Sequence, residues 1–265
     1  MRLILAPLTF ALLSSVAHAQ SYSSIWNLGD SLSDTGRTYQ RTTNISVPKP
    51  WPFDGYLVDL RQPVGPLYYQ GRFSNGPVWV EYLNQINGLT YNPDRNLAWG
   101  GAVTGSARDI RISALIQHLE QQVDEEFRPK IDGNTKGFFG TIGGWFSSPK
   151  LDAKNFGANP LVTMWIGGNN FRQEVEDKDW HSAWFWSKQN FDIPKNTILA
   201  NVPANLRKIN DSFLSRSDVG QGGVTYYVPT VPDVSTTPKF SGAPDNVRGS
   251  LGAAVKDTNR GLKEA

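Results

Sequence analysis

Ser24-Ile25-Trp26-Asn27-Leu28, running directly into Gly29-Asp30-Ser31-Leu32-Ser33-Asp34-Thr35-Gly36, is the stretch on which the fold turns. The first five residues read as a buried strand, and the next eight as a sharp turn that delivers a nucleophilic serine. Glycines at both ends of the turn permit backbone angles that a side chain forbids, which predicts Ser31 at the head of a helix, with its hydroxyl at the helix's positive end. Alone, Gly-Asp-Ser is more often an ordinary turn with a helix cap. Segments further along the chain decide between the two.

Runs rich in β-branched and aromatic residues predict further strands over 161–166 and 224–231, with a weaker one over 95–99. Between them, apolar residues at helical spacing predict amphipathic helices over 77–86, 110–127, 197–214 and 246–262. Strands alternating with helices imply an α/β fold with a parallel sheet covered on both faces. Two long loops are expected. Residues 38–70 are rich in proline and aromatics, and residues 180–191 read Trp-His-Ser-Ala-Trp-Phe-Trp-Ser-Lys-Gln-Asn-Phe, suited to walling an acyl chain, stacking on sugar rings or burying their own aromatics at the surface.

In an open parallel sheet, reactive groups gather at the carboxyl ends of the strands. Ser31 follows the first strand, Asn96-Leu97-Ala98-Trp99-Gly100-Gly101-Ala102 accompanies the weak one, and Gly167-Gly168-Asn169-Asn170-Phe171 follows the strand over 161–166. Acyl transfer needs these residue types. A serine attacks the carbonyl, an unhindered glycine N–H donates to the developing oxyanion, and an asparagine amide donates again.

These segments resemble the blocks of the GDSL, or SGNH, hydrolase family. Block one matches Gly29 to Gly36 with Ser31 in the nucleophile's place. Block two matches through Gly101, with Gly100 as an off-by-one alternative, and block three matches through Gly167 and Asn169. Gly71-Arg72-Phe73-Ser74-Asn75-Gly76-Pro77-Val78-Trp79, and Pro232-Asp233-Val234 with Thr237-Pro238, are similar to further family segments. Asn170 stands where aspartate is usual, and Arg37 where asparagine is common. The resemblance implies a three-layer α/β/α, flavodoxin-like sandwich over 20–265 and an ester-cleaving enzyme that works through a Ser31 acyl-enzyme. It implies an oxyanion hole of Ser31, Gly101 and Asn169, and no cofactor. The implied substrates are small-molecule, lipid or acylated-glycan esters.

The family takes its base and orienting acid from an Asp-x-x-His block near the C-terminus, and this sequence has none. We therefore expect a chain truncated within the helix after the fourth strand, lacking a last strand, with an exposed sheet edge and poor solubility. Of the histidines, His118 reads as a partly exposed helical residue, and His181 as a remote substitute for the base. The rival to an esterase is a catalytically incomplete carbohydrate- or lipid-binding protein on the same fold, or an acyltransferase. Composition narrows the remainder. An apolar run from Leu3 to Val16 before Ala17-His18-Ala19 reads as a signal peptide cleaved after Ala19, so a secreted or periplasmic, monomeric protein is expected. No later stretch reads as a membrane span. The 265 residues contain no cysteine, which removes thiol chemistry and disulfides. A formal charge of +2 with no basic run gives no ground for a nucleic-acid partner, and no ligand-spaced histidines support a metal.

Overall fold

A computed structural model describes residues 22–43, 46–48, 57–59, 62–105, 115–132, 156–176 and 190–265. The expected signal peptide, His181 and most of the 180–191 loop lie outside these residues. Strand β1 (Ser24–Gly29) is buried along its whole length. It pairs in parallel with β4 (Pro160–Trp165), from Ser24 opposite Pro160 to Gly29 opposite Trp165. β4 in turn pairs in parallel with β5 (Thr225–Tyr227), the outer strand among the described residues.

Alternation along the strands sorts the two faces. Trp26, Val162 and Met164 lie on one face, within a core that includes Phe127, Phe156, Ile198, Val202 and Phe213. The Trp26 indole stacks on Phe156 with ring centroids 4.1 Å apart and meets Phe127 edge-on at 5.7 Å. Its Nε1–H, which could not be buried unpaired without cost, donates to Ser24 Oγ at 3.0 Å. On the opposite face Thr163 Oγ1 donates to Asn27 Oδ1 at 2.7 Å, and Asn27 Nδ2 donates to Asn96 Oδ1 at 2.7 Å.

The helices are α1 (Arg37–Thr42), α2 (Trp79–Ile86), α3 (residues 119–132), α4 (Gly168–Glu176), α5 (Asp192–Leu214) and α6 (Asp245–Glu264). α3 is one helical run assembled from Leu119–Gln121, a π-helical stretch Gln122–Phe127, and Arg128–Asp132. α3 and α5 supply the core on the Trp26 face, while Trp79 of α2 packs on Trp165 and Tyr227 of the other face at 5.6 and 6.3 Å. The three-layer α/β/α expectation therefore holds. A short antiparallel pair, β2 (Ser46–Pro48) with β3 (Leu57–Asp59), and α1 together give structure to a span that reads as loop from sequence.

The helix expected over 197–214 starts earlier, at Asp192, and three other elements also differ from expectation. The strand over 224–231 ends at Tyr227. Pro229 has no N–H for a ladder, and at Val231 both backbone groups are taken by the Asn259 side chain of α6, at 2.7 and 2.9 Å. The 95–99 segment runs parallel beside β1 with a single bridge, Asn27 to Asn96, and two backbone bonds, Leu97 N–H to Asn27 O at 2.7 Å and Trp99 N–H to Gly29 O at 3.2 Å. The helix expected over 110–127 begins at Leu119, where the Gln121 side chain accepts from the His118 N–H at 3.1 Å, and runs on to Asp132. Residues 106–114 lie outside the described set. Among the described residues no helix is long and apolar enough to cross a membrane.

Candidate active site

β1 has the 95–99 segment on one side and β4 on the other, so the carboxyl end of β1 is where an open α/β sheet forms its crevice. All three strand-end motifs meet there. Trp165 O accepts from Asp30 N–H at 3.2 Å, Gly29 O accepts from Trp99 N–H at 3.2 Å, and Ala102 O accepts from Asn169 Nδ2 at 2.9 Å.

Ser31 is half-buried in a turn closed on the Asp30 carbonyl, which accepts from Ser33 N–H and Asp34 N–H, both at 3.0 Å. The helix starts at Arg37, after Gly36 at φ 116, so Ser31 stands ahead of α1 and not at its head. The expected role of the helix dipole at the hydroxyl is thereby corrected. The physical reason is Asp34. This buried carboxylate caps the helix from inside, taking Gly36 N–H and Arg37 N–H at 2.8 Å and Thr38 N–H at 3.2 Å. The two glycines also differ in kind. Gly36 is needed for its left-handed backbone, whereas Gly29 is needed for space, since a Cβ there would lie 2.5 Å from Trp165 O.

Asp34 reaches across to the second block as well. Its Oδ2 accepts from Gly100 N–H at 3.0 Å, and Thr38 Oγ1 accepts from the same N–H at 2.7 Å. A Cβ on Gly100 would lie 2.1 Å from Phe73 Cε2, which explains the glycine and gives Phe73 its place in the chain. Gly101, at φ 86, has an N–H with no partner among the described residues. The two glycines thus differ: the Gly100 N–H is bonded to Asp34 and Thr38, while the Gly101 N–H has no acceptor among the described residues. The backbone N–H and hydroxyl of Ser31 are likewise unpartnered among the described residues.

Asn169, 7% exposed, is held at both ends of its amide: Oδ1 accepts from Arg172 Nε at 3.0 Å, and Nδ2 donates to Ala102 O. One N–H of its two remains. Asn170 does a different job, with Oδ1 accepting from Thr104 N–H at 3.1 Å and Nδ2 donating to Thr104 Oγ1 at 2.9 Å, a pairing in which the amide supplies the second donor. Arg37 lies 4.6 Å over the Trp99 ring and pairs with Glu126 of α3 at 2.8 Å, so it fastens the turn to the layer behind it.

Further side chains support the turn, and of these Gln122 lies in no motif. Gln122, fully buried on α3, clamps both backbone groups of Gly29: Oε1 accepts its N–H and Nε2 donates to its C=O, each at 2.9 Å. Asn96 Nδ2 donates to Ser33 O at 2.7 Å, and Trp79 Nε1 donates to Ser33 Oγ at 3.0 Å. Asp30 is 3% exposed, and burial pushes its carboxyl up to about 7, against the opposing pull of its bond from Leu32 N–H and of the Arg172 charge.

His118 is the histidine among the described residues, and the expectation of a partly exposed helical side chain is wrong. It is buried at the cap of α3, and its Nδ1 accepts from Val103 N–H at 3.2 Å. That bond places the ring proton on Nε2, leaving no free lone pair to take a proton from serine, and burial lowers its affinity for a second proton. No cluster of three or more possible metal ligands occurs among the described residues.

Comparison with known proteins places the chain among ester-acting relatives. A phosphatidylcholine-sterol acyltransferase of Aeromonas hydrophila is 32% identical over 152 residues, which are 57% of this chain and 33% of that protein. The chain thus spans about a third of the length of that relative. Residues 25–265 match the GDSL-like Lipase/Acylhydrolase family, and with nearly all of the described fold inside that match, the chain belongs to this family.

Proposed function

We propose that this chain is the acyl-transfer domain of an exported enzyme acting on carboxylic esters, with Ser31 as nucleophile. Ser31 Oγ bonds to the ester carbonyl carbon, its proton passes through a base to the leaving alkoxide, and the C–O bond to the alcohol breaks. Water then attacks the acyl-enzyme, releases the acid and returns the proton to Ser31. The N–H groups of Ser31 and Gly101 and the remaining N–H of Asn169 receive the oxyanion. The observation that carries this proposal is the division of labour at 100–101. Asp34 and Thr38 tie down the Gly100 N–H, while the next N–H is left open at a positive φ beside Asn169. No described residue is assigned as the base; within this sequence His181, outside the described residues, is only a remote substitute.

The test is hydrolysis of short- and medium-chain p-nitrophenyl esters, with covalent labelling by a fluorophosphonate mapped by mass spectrometry. Ser31→Ala is expected to abolish labelling and to lower turnover by about a thousandfold or more. Turnover or labelling that survives in Ser31→Ala would overturn the assignment. A chain whose Ser31 is never labelled points instead to the catalytically incomplete binding protein. The relative's name favours a second reading, transfer of the acyl group to an alcohol in place of water. Adding a sterol acceptor and measuring how the acyl group partitions between steryl ester and free acid separates the two.

A further inference from the structure

Arg172 belongs to none of the motifs that single out the site, yet it bonds to one of them and its charge acts on another. It sits on α4 three residues beyond Asn169, the spacing that puts two side chains on one helix face. Its Nε–H donates to Asn169 Oδ1 at 3.0 Å, and its charge acts on Asp30, the buried neighbour of Ser31. The amide plane is fixed once its oxygen and one of its two N–H groups are both bonded. In Asn169 the oxygen is taken by Arg172 and one N–H by Ala102 O at 2.9 Å, so the direction of the other N–H is dictated by these two bonds. Ala102 follows Gly101 directly, and the bond to its carbonyl keeps the Asn169 amide beside the open Gly101 N–H.

We propose that Arg172 is a positioning residue for acyl transfer, orienting and polarising the Asn169 amide so that its remaining N–H serves the oxyanion. The inference rests on the acyl-transfer role proposed for Ser31 and goes further by assigning a residue outside the family motifs. Two physical effects operate. Without the guanidinium, the amide keeps one of its two anchors, and a donor turned away from the oxyanion loses most of its worth, since preorganisation is what makes such donors effective. A cation bonded to an amide oxygen also withdraws electron density from the nitrogen, which strengthens the N–H as a donor. A Lys at this position would keep the charge but lose the fixed planar geometry of Nε.

The experiment compares the parent chain with Arg172→Met, Arg172→Lys and Arg172→Gln, using Arg260→Gln, on the exposed face of α6, as a surface control. Three quantities are read: the rate of fluorophosphonate labelling at Ser31, kcat and KM on p-nitrophenyl esters, and the Asn169 side-chain amide signals in a nitrogen-15 spectrum, identified by their loss in Asn169→Ala. Arg172→Met is expected to slow labelling and lower kcat by about tenfold or more with KM little changed, because the interaction strengthens as charge develops. Arg172→Lys recovers part of the loss. The Asn169 amide signals shift in Arg172→Met while signals remote from the site stay in place, which separates positioning from unfolding. Parental labelling and kcat in Arg172→Met, or unchanged Asn169 amide signals, would overturn the inference. A parent whose Ser31 is not labelled, together with shifted amide signals in Arg172→Met, refutes the acyl-transfer role while leaving the orienting bond intact, so the two failures are distinguishable.

Discussion

Gly29→Ala is expected to destabilise the fold by roughly 2–4 kcal/mol and to remove Ser31 labelling with it. The added Cβ would lie 2.5 Å from the Trp165 carbonyl oxygen and 3.3 Å from Ser33 Oγ. The first contact is with backbone, which cannot rotate away as a side-chain tip does. Nor can β1 slide aside, because Gly29 N–H and C=O are both held by Gln122, and the C=O also takes Trp99 N–H. Relief therefore requires β1 and β4 to part at the end that carries Ser31. Gly249→Ala is the matched control. Gly249 lies exposed within α6 with nothing inside 4 Å of an added Cβ, so alanine there is neutral or stabilising by up to about 1 kcal/mol. Urea unfolding followed by circular dichroism checks both. A Gly29→Ala chain with the parental midpoint would show that the strands do not approach as closely as described.

Asp30 is expected to make the fold less stable as pH rises from about 4 to about 7. Its carboxyl is raised from 3.8 to about 7 by burial, so between these values the folded chain holds a proton that the unfolded chain has released. Stability from this group is complete below the unfolded value and falls as pH climbs to the folded one. Over about three pH units the ceiling is on the order of 4 kcal/mol. Asp30→Asn keeps an oxygen for Leu32 N–H, which donates to Oδ1 at 3.0 Å, and removes the titration. The difference in unfolding free energy between variant and parent is the readout, because it cancels groups common to both. That difference should be small near pH 4 and grow in favour of the Asp30→Asn variant towards pH 7 and above. A difference that stays flat, or grows in the opposite sense, would show that Asp30 is ionised throughout the range and held by Arg172.

The alternation of strands and helices, the parallel sheet and the placement of Ser31, Gly101 and Asn169 at strand ends were all legible in the sequence. They rest on local signals: apolar runs, helical spacing, and glycine or asparagine where a strand must end. Boundaries were less legible where distant side chains decide them. β5 stops at Tyr227 because Asn259 takes over the backbone at Val231, and α3 starts at Leu119, where the Gln121 side chain takes the His118 N–H.

What the tertiary structure alone decided is which polar groups are committed and which are open. Asp34 falls in a stretch that reads as a turn and Gln122 in one that reads as an amphipathic helix, while Arg172 stands just past a motif. In the fold they respectively engage Gly100, clamp Gly29 and hold the Asn169 amide. Their partners lie far away in sequence in the first two cases and one helical turn away in the third. In each case a buried hydrogen-bonding group must be satisfied by whatever packing brings near it. Local pattern determines where a strand or helix forms and which strand ends carry reactive residue types. It carries no record of which N–H is left without an acceptor, and for Gly100 and Gly101, adjacent in sequence, that difference exists only once the chain has folded.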